Sequence, residues 1–71
     1  MPEMTFVDSS NVEAIGYDPT TLELHVRFVG SGEIYVYYAV EEWRYTELMQ
    51  ADSKGRYLNA NIKLNYQYAK Q

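Results

Sequence analysis

The sequence predicts an α+β domain: a three-stranded antiparallel β-meander followed by two helices (βββαα), self-associating into a homo-oligomer. Three observations carry that prediction. The run Leu22-Glu23-Leu24-His25-Val26-Arg27-Phe28 alternates apolar and polar without a fault, as a strand with one buried face does. Near Glu41 the apolar spacing changes from strand-like to helical. The chain has 71 residues and no cysteine, so it holds one thin core that buries roughly 60% of the surface of the unfolded chain. Association is a common source of the missing stability in such small domains.

The elements follow in order. Val12 to Tyr17 reads as a first short strand, joined to the alternating run through Asp18-Pro19-Thr20-Thr21, a turn built around proline. His25, the only histidine, falls on the polar face of the second strand and is expected to be solvated rather than a metal ligand or general base. Gly30-Ser31-Gly32 forms a hairpin turn into a third strand, Glu33 to Val40. Ile34, Val36 and Tyr38 share one face of that strand, and Tyr35, Tyr37 and Ala39 share the other. Both faces are apolar or aromatic, which places the strand between two layers or against a second subunit. Tyr35 and Tyr37 are expected to face the helices.

From Glu41 to Ala51, Tyr45, Leu48 and Met49 form one stripe, with Glu41 and Glu42 suited to the first turn. Trp43 lies about half a turn from that stripe at 100° per residue. It is therefore either spread over neighbouring side chains or available for stacking or a subunit contact. A second helix is predicted from Lys54 to Tyr66, with Leu58 and Ile62 facing inward.

That second helix opens with two cations, the wrong sign for an N-terminus, where unpaired N–H groups and the dipole favour negative charge. A bound anion reverses the penalty. Ser53 as N-cap, Gly55 permitting close backbone approach, and Lys54 and Arg56 to either side are the candidate phosphate seat, with Lys63 on a later turn. The alternative is a Ser-capped turn whose long cations point to water. The formal charge is −4, yet no Asp or Glu follows Asp52, whereas Lys54, Arg56, Lys63 and Lys70 do. An acidic protein with one cationic segment suits a compact anionic ligand better than a long polyanion.

Chemistry finds little purchase. The sequence contains no Ser, His and Asp grouping, no metal-ligand spacing and no Walker-type loop, so no catalytic residue, cofactor or metal is assigned. No stretch approaches the roughly 20 apolar residues of a membrane span, and the cysteine-free composition fits the cytoplasm.

The order Ile15-Gly16-Tyr17-Asp18, Leu22-x-Leu24-x-Val26-x-Phe28, Tyr35-Val36-Tyr37, Tyr45-x-x-Leu48 and Ala51-x-Ser53-x-Gly55-x-Tyr57-x-Asn59-x-x-Ile62-x-x-x-Tyr66 closely resembles the KTSC domain. The likeness runs over about residues 9–68, so residues 1–71 look like a single free-standing copy. Two positions depart from it: the family often has proline where this chain has Glu41 and Asp52, each at a helix boundary. Copies of the domain at the C-terminus of some lysyl-tRNA synthetases imply small RNA or tRNA as a ligand. Free-standing phage copies look similar to viral sponge proteins that sequester cyclic dinucleotide signals of the bacterial CBASS defence as homo-oligomers, without cleaving them. The resemblance to that group implies a non-catalytic protein of the host cytoplasm, a homodimer or homotetramer, binding a ligand such as 3'3'-cGAMP.

A cyclic dinucleotide carries two phosphates and two purine faces. Ser53, Lys54, Gly55, Arg56 and Lys63 are the candidates for phosphate and Asn59 for a base or ribose edge. Trp43, Tyr57, Tyr66 and Tyr38 are the candidates for stacking or for the subunit interface. RNA binding and protein–protein interaction through the two-faced strand stand as the alternatives.

Overall fold

The alternation of the central strand organises the structure, a computed structural model that describes residues 2–71. β2 (Val12–Asp18), β3 (Glu23–Phe28) and β4 (Ile34–Tyr37) pair antiparallel in sequence order, as the meander predicts. Ile15, Val26 and Tyr35 lie across from one another, and so do Tyr17, Leu24 and Tyr37. These two rows make the front face. They bury Ile15, Leu24, Val26 and Tyr37 against Val40, Leu48, Leu58 and Ile62 in one core, each large side chain contributing roughly 1.5–3 kcal/mol.

The sheet has five strands rather than three, in the order β1-β2-β3-β4-β5. β1 (Thr5–Phe6) pairs with β2, and β5 (Tyr68–Lys70) returns after the helices to pair with β4. Neither carries a pattern of its own. One is two residues long, the other is exposed throughout, and each is held by backbone hydrogen bonds to a neighbour fixed elsewhere in the chain. The Tyr38 N–H, for example, donates to the Gln67 carbonyl at 2.9 Å, and the Gln71 N–H to that of Ile34 at 2.8 Å.

The predicted third strand stops at Tyr37, because Ala39 takes a left-handed conformation (φ 57°) and turns the chain toward the helices. The Val40 N–H then donates to the Leu22 carbonyl at 2.9 Å, and the Tyr17 hydroxyl donates to the Val40 carbonyl at 2.5 Å. α1 (Glu42–Gln50) presents the expected stripe: Leu48 is buried and Tyr45 and Met49 pack against the core. Tyr45 stacks on Tyr17, with ring centroids 4.7 Å apart.

The second helix ends earlier than predicted. α2 (Lys54–Tyr57) runs into a π-helical turn, Leu58–Ile62, in which the Lys63 N–H donates to the Leu58 carbonyl at 2.9 Å. Asparagine side chains compete with the backbone here. The Asn61 amide donates to the Tyr57 carbonyl at 3.2 Å, and the Asn65 amide to that of Asn61 at 2.8 Å. Leu58 and Ile62 nevertheless face the core as expected.

His25 overturns its expectation. It is 3% exposed, on the back face between Gly16 and Val36, with Nε2 3.2 Å from Glu23 Oε1. Strand alternation gives the face but not what covers it. The N-terminal segment crosses so close to Gly16 that a Cβ there would lie 2.8 Å from the Glu3 carbonyl oxygen. Val36, on the same face, is likewise buried within the single chain. The burial of β4 on both sides therefore requires no second subunit at Val36, while Ile34 is half-buried. No helix among the described residues is long and apolar enough to cross a membrane.

Candidate functional site

The start of α2 shows what its two cations do. Ser53 caps the helix, its Oγ accepting the Arg56 N–H at 3.3 Å. Lys54 turns the other way, and its ammonium donates to the Ala51 carbonyl at 3.1 Å. Ala51 is the C-cap of α1, a terminus where a cation has the favourable sign. Lys54 thus answers the end of one helix more than it opposes the start of the next. Arg56 is exposed, and no carboxylate among the described residues lies within ion-pair distance of it.

Gly55 is buried against the loop before β2. A Cβ on it would meet Asn11 Nδ2 at 3.1 Å and Asn11 Cβ at 3.3 Å, so its smallness lets helix and loop come together. The loop is held by Ser9, whose Oγ accepts the N–H groups of Asn11 and Val12 at 3.3 and 3.2 Å. Asn59 and Lys63 continue the Gly55 side of the helix at intervals of four residues. With Ser10, Asn11 and Phe28 they wall an open polar cleft of about 310 Å³. Ser53, Arg56 and Asn59 line an adjoining groove with the same Ser10–Asn11 loop.

Next to the cleft lies a cavity of about 470 Å³ between the front face of the sheet and the end of the π-helical turn. Its walls are Phe28, Tyr35, Tyr37 and Tyr68, with Leu64 and Lys63 at the helical side and Ser31 and Glu33 at the hairpin. The rings are ordered: Phe28 meets Tyr35 edge-on at 5.4 Å, and Tyr68 stacks on Tyr35 at 5.5 Å. Burial, with smaller effects of Tyr68 and Tyr35, pushes the Tyr37 phenol up to about 12. Lys70 pairs with Glu33 at 2.6 Å, a bond that raises the lysine above its ordinary value.

Three of the predicted aromatic residues assemble elsewhere, around Arg44. Arg44 Nε donates to the Tyr66 hydroxyl and Nη1 to that of Tyr57, both at 3.3 Å. Those hydroxyls donate in turn to Glu41 at 2.5 Å and Glu47 at 2.6 Å. Trp43, half exposed, lies under the guanidinium, 4.3 Å from ring centroid to Cζ. Burial, and then the bond to its carboxylate, raises each of the two phenols; the Tyr66 bond holds Glu41 below the usual carboxylate range. The network ties α1 to the second helical segment. Tyr38 stands apart, 41% exposed just after β4.

The structure thus brings Ser53, Arg56, Asn59 and Lys63 to one side of the second helix and sends Lys54, Trp43, Tyr57 and Tyr66 to other partners. The sequence reading missed Asn11, Phe28, Tyr68 and Glu33 as walls of the site, and Arg44 as a hub. The place of Tyr68 beside Tyr37 follows only from the return of β5 to the sheet. Among the described residues no group of three or more His, Cys, Asp or Glu is disposed to hold a metal.

Comparison with known proteins places the fold in a family. A protein of Tsukamurella paurometabola is 44% identical over 57 residues, covering 80% of this chain and 84% of its own. An uncharacterized protein of Stutzerimonas stutzeri is 40% identical over 63 residues, 87% of each. The crystal structure of a KTSC domain protein from Yersinia pestis superposes with a TM-score of 0.94 at 34% identity, over 100% of this chain and 99% of that one. The family model for the KTSC domain matches residues 8–66. The chain belongs to the KTSC domain family.

Proposed function

We propose that this protein is a non-catalytic binding module for a small nucleotide, with a cyclic dinucleotide held intact for sequestration as its leading ligand. The observation that supports this reading is that Phe28 and Lys63 each wall both the polar cleft and the aromatic cavity. A ligand with a charged part and a flat part joined by a short link fits such a pair of adjoining hollows. Lys63, Arg56, Asn59 and Asn11 supply donors for phosphate, and Phe28, Tyr35 and Tyr68 supply planes for a base. The volumes fall in the range of small-molecule sites. A cyclic dinucleotide has two of each part, so two copies of the site across a two-fold axis would engage both halves.

RNA offers the same chemistry repeated along a strand, but the acidic surface, net −4, works against a long polyanion. Calorimetry against cyclic di-GMP, cyclic di-AMP, 3'3'-cGAMP and single-stranded RNA of increasing length tests the reading. A saturable site for a cyclic dinucleotide, shallow salt dependence and recovery of unchanged ligand are expected. Hydrolysed product, or affinity that appears only with RNA and grows with its length, would overturn it.

A further inference from the structure

We propose that Glu33 makes the aromatic cavity a guanine site, an inference that rests on the nucleotide reading above and adds the identity of the base. Glu33 is the one carboxylate among the described residues lining that cavity, and it lies on the front face beside Tyr35. Guanine presents two adjacent donors on its Watson–Crick edge, N1–H and the N2 amino group, spaced to meet both oxygens of one carboxylate. Adenine presents a donor beside an acceptor lone pair, which a carboxylate repels on one side.

Lys70 prepares the group rather than consuming it. Its ammonium lies 2.6 Å from Glu33 Oε2, and a carboxylate has about four lone-pair sites. Oε1 and the second lone pair of Oε2 remain for the base. The ion pair fixes where the carboxylate stands, at the hairpin end of the cavity with Ser31, whose Oγ accepts the Glu33 N–H at 3.2 Å. A base stacked on Tyr68, whose other face lies on Tyr35, then turns its edge toward the hairpin and its sugar toward Lys63, the wall shared with the polar cleft.

The experiment measures binding of cyclic di-GMP and cyclic di-AMP to the wild type, Glu33→Gln and Lys70→Met, with a thermal melt of each. The wild type should prefer the guanine ligand by about tenfold or more, the discrimination of a good bidentate contact. Glu33→Gln should bring the two ligands to within about twofold, while Lys70→Met, which releases the carboxylate but leaves it present, should lower the preference by less than Glu33→Gln does. Equal binding of both ligands by the wild type overturns the guanine assignment and leaves the nucleotide reading intact. Binding of neither overturns the nucleotide reading, and the guanine assignment with it. If Glu33→Gln and Lys70→Met lower both affinities and both melts alike, the pair is structural and the assignment fails.

Discussion

The Lys54 ammonium donates to the Ala51 carbonyl at 3.1 Å, so the cation that opens the second helix also closes the first. A lysine with the wrong sign for one terminus has the right sign for the other, because the two ends lie a few residues apart. α1 has no basic residue in its own last turn, and Lys54 supplies that charge from outside.

Lys54→Met should therefore cost stability and spare ligand affinity. Losing a charge-assisted bond to a helix C-terminus is worth about 1 kcal/mol. Thermal melts and calorimetry on the same samples check it. A variant with unchanged melting and weakened nucleotide binding would return Lys54 to the anion site.

Self-association is expected in solution, as a dimer or tetramer. The two-sided burial of β4 no longer argues for it, since Val36 is covered within the chain. The exposed large apolar side chains do: Leu64 is 91%, Phe6 73% and Tyr68 55% exposed on a very small domain. Light scattering at micromolar concentration should give a multiple of 8.3 kDa, and a monomer would refute the expectation.

Gly16→Ala should loosen the N-terminal segment. The new Cβ would lie 2.7 Å from Met4 Sδ and 2.8 Å from the Glu3 carbonyl oxygen; the thioether can swing aside, the backbone cannot. Overpacking of this kind costs about 1–3 kcal/mol. Faster hydrogen exchange at the Val7 amide, which bonds to the Glu13 carbonyl, should accompany the loss. Unchanged exchange and melting would show that the segment yields without cost.

The front of the sheet was legible because strand alternation reports directly which side chains share a face, and Leu24, Val26, Tyr35 and Tyr37 obeyed it. The back was not, because alternation says nothing about a cover brought from outside the strand, and His25 was misjudged for that reason. β1 and β5 form by pairing with edges already made, so their residues need no periodicity. Ser53, Arg56, Asn59 and Lys63 are candidates on local grounds, a serine cap, cations at a helix start and a shared helix, and the structure sets them along adjoining grooves. The aromatic cavity draws its walls from β3, β4, the helical end and β5, and only the folded topology brings Phe28, Leu64 and Tyr68 together.

High pH should destabilise the fold through Tyr37. Its folded value is pushed to about 12 by burial, against 10.0 for an ordinary phenol. Between those values the unfolded chain has lost the proton and the folded one keeps it. Stability is thus full below about pH 10 and falls as pH rises toward 12, by about 2 kcal/mol for a shift of this size. Tyr37→Phe should flatten that slope while lowering stability little at neutral pH. A slope unchanged by the substitution would assign the alkaline transition to another group.

Arg56 gives the sharpest separation of binding from folding. It is exposed, bonds through its backbone N–H to Ser53, and has no carboxylate partner among the described residues. Its side chain lines the groove with Asn59 and the Ser10–Asn11 loop. Arg56→Glu should remove a charge-assisted contact and set a repelling carboxylate beside the phosphate, weakening nucleotide binding by about 2–4 kcal/mol. The same change places a negative charge in the first turn of α2, where the dipole favours it, so the free protein should melt at the same temperature or slightly higher. An arginine that served packing alone would lose stability on this substitution and leave affinity untouched. Melts with and without cyclic dinucleotide distinguish the two: a variant that melts lower alone yet keeps its full ligand-induced shift would show that the phosphate does not sit beside Arg56.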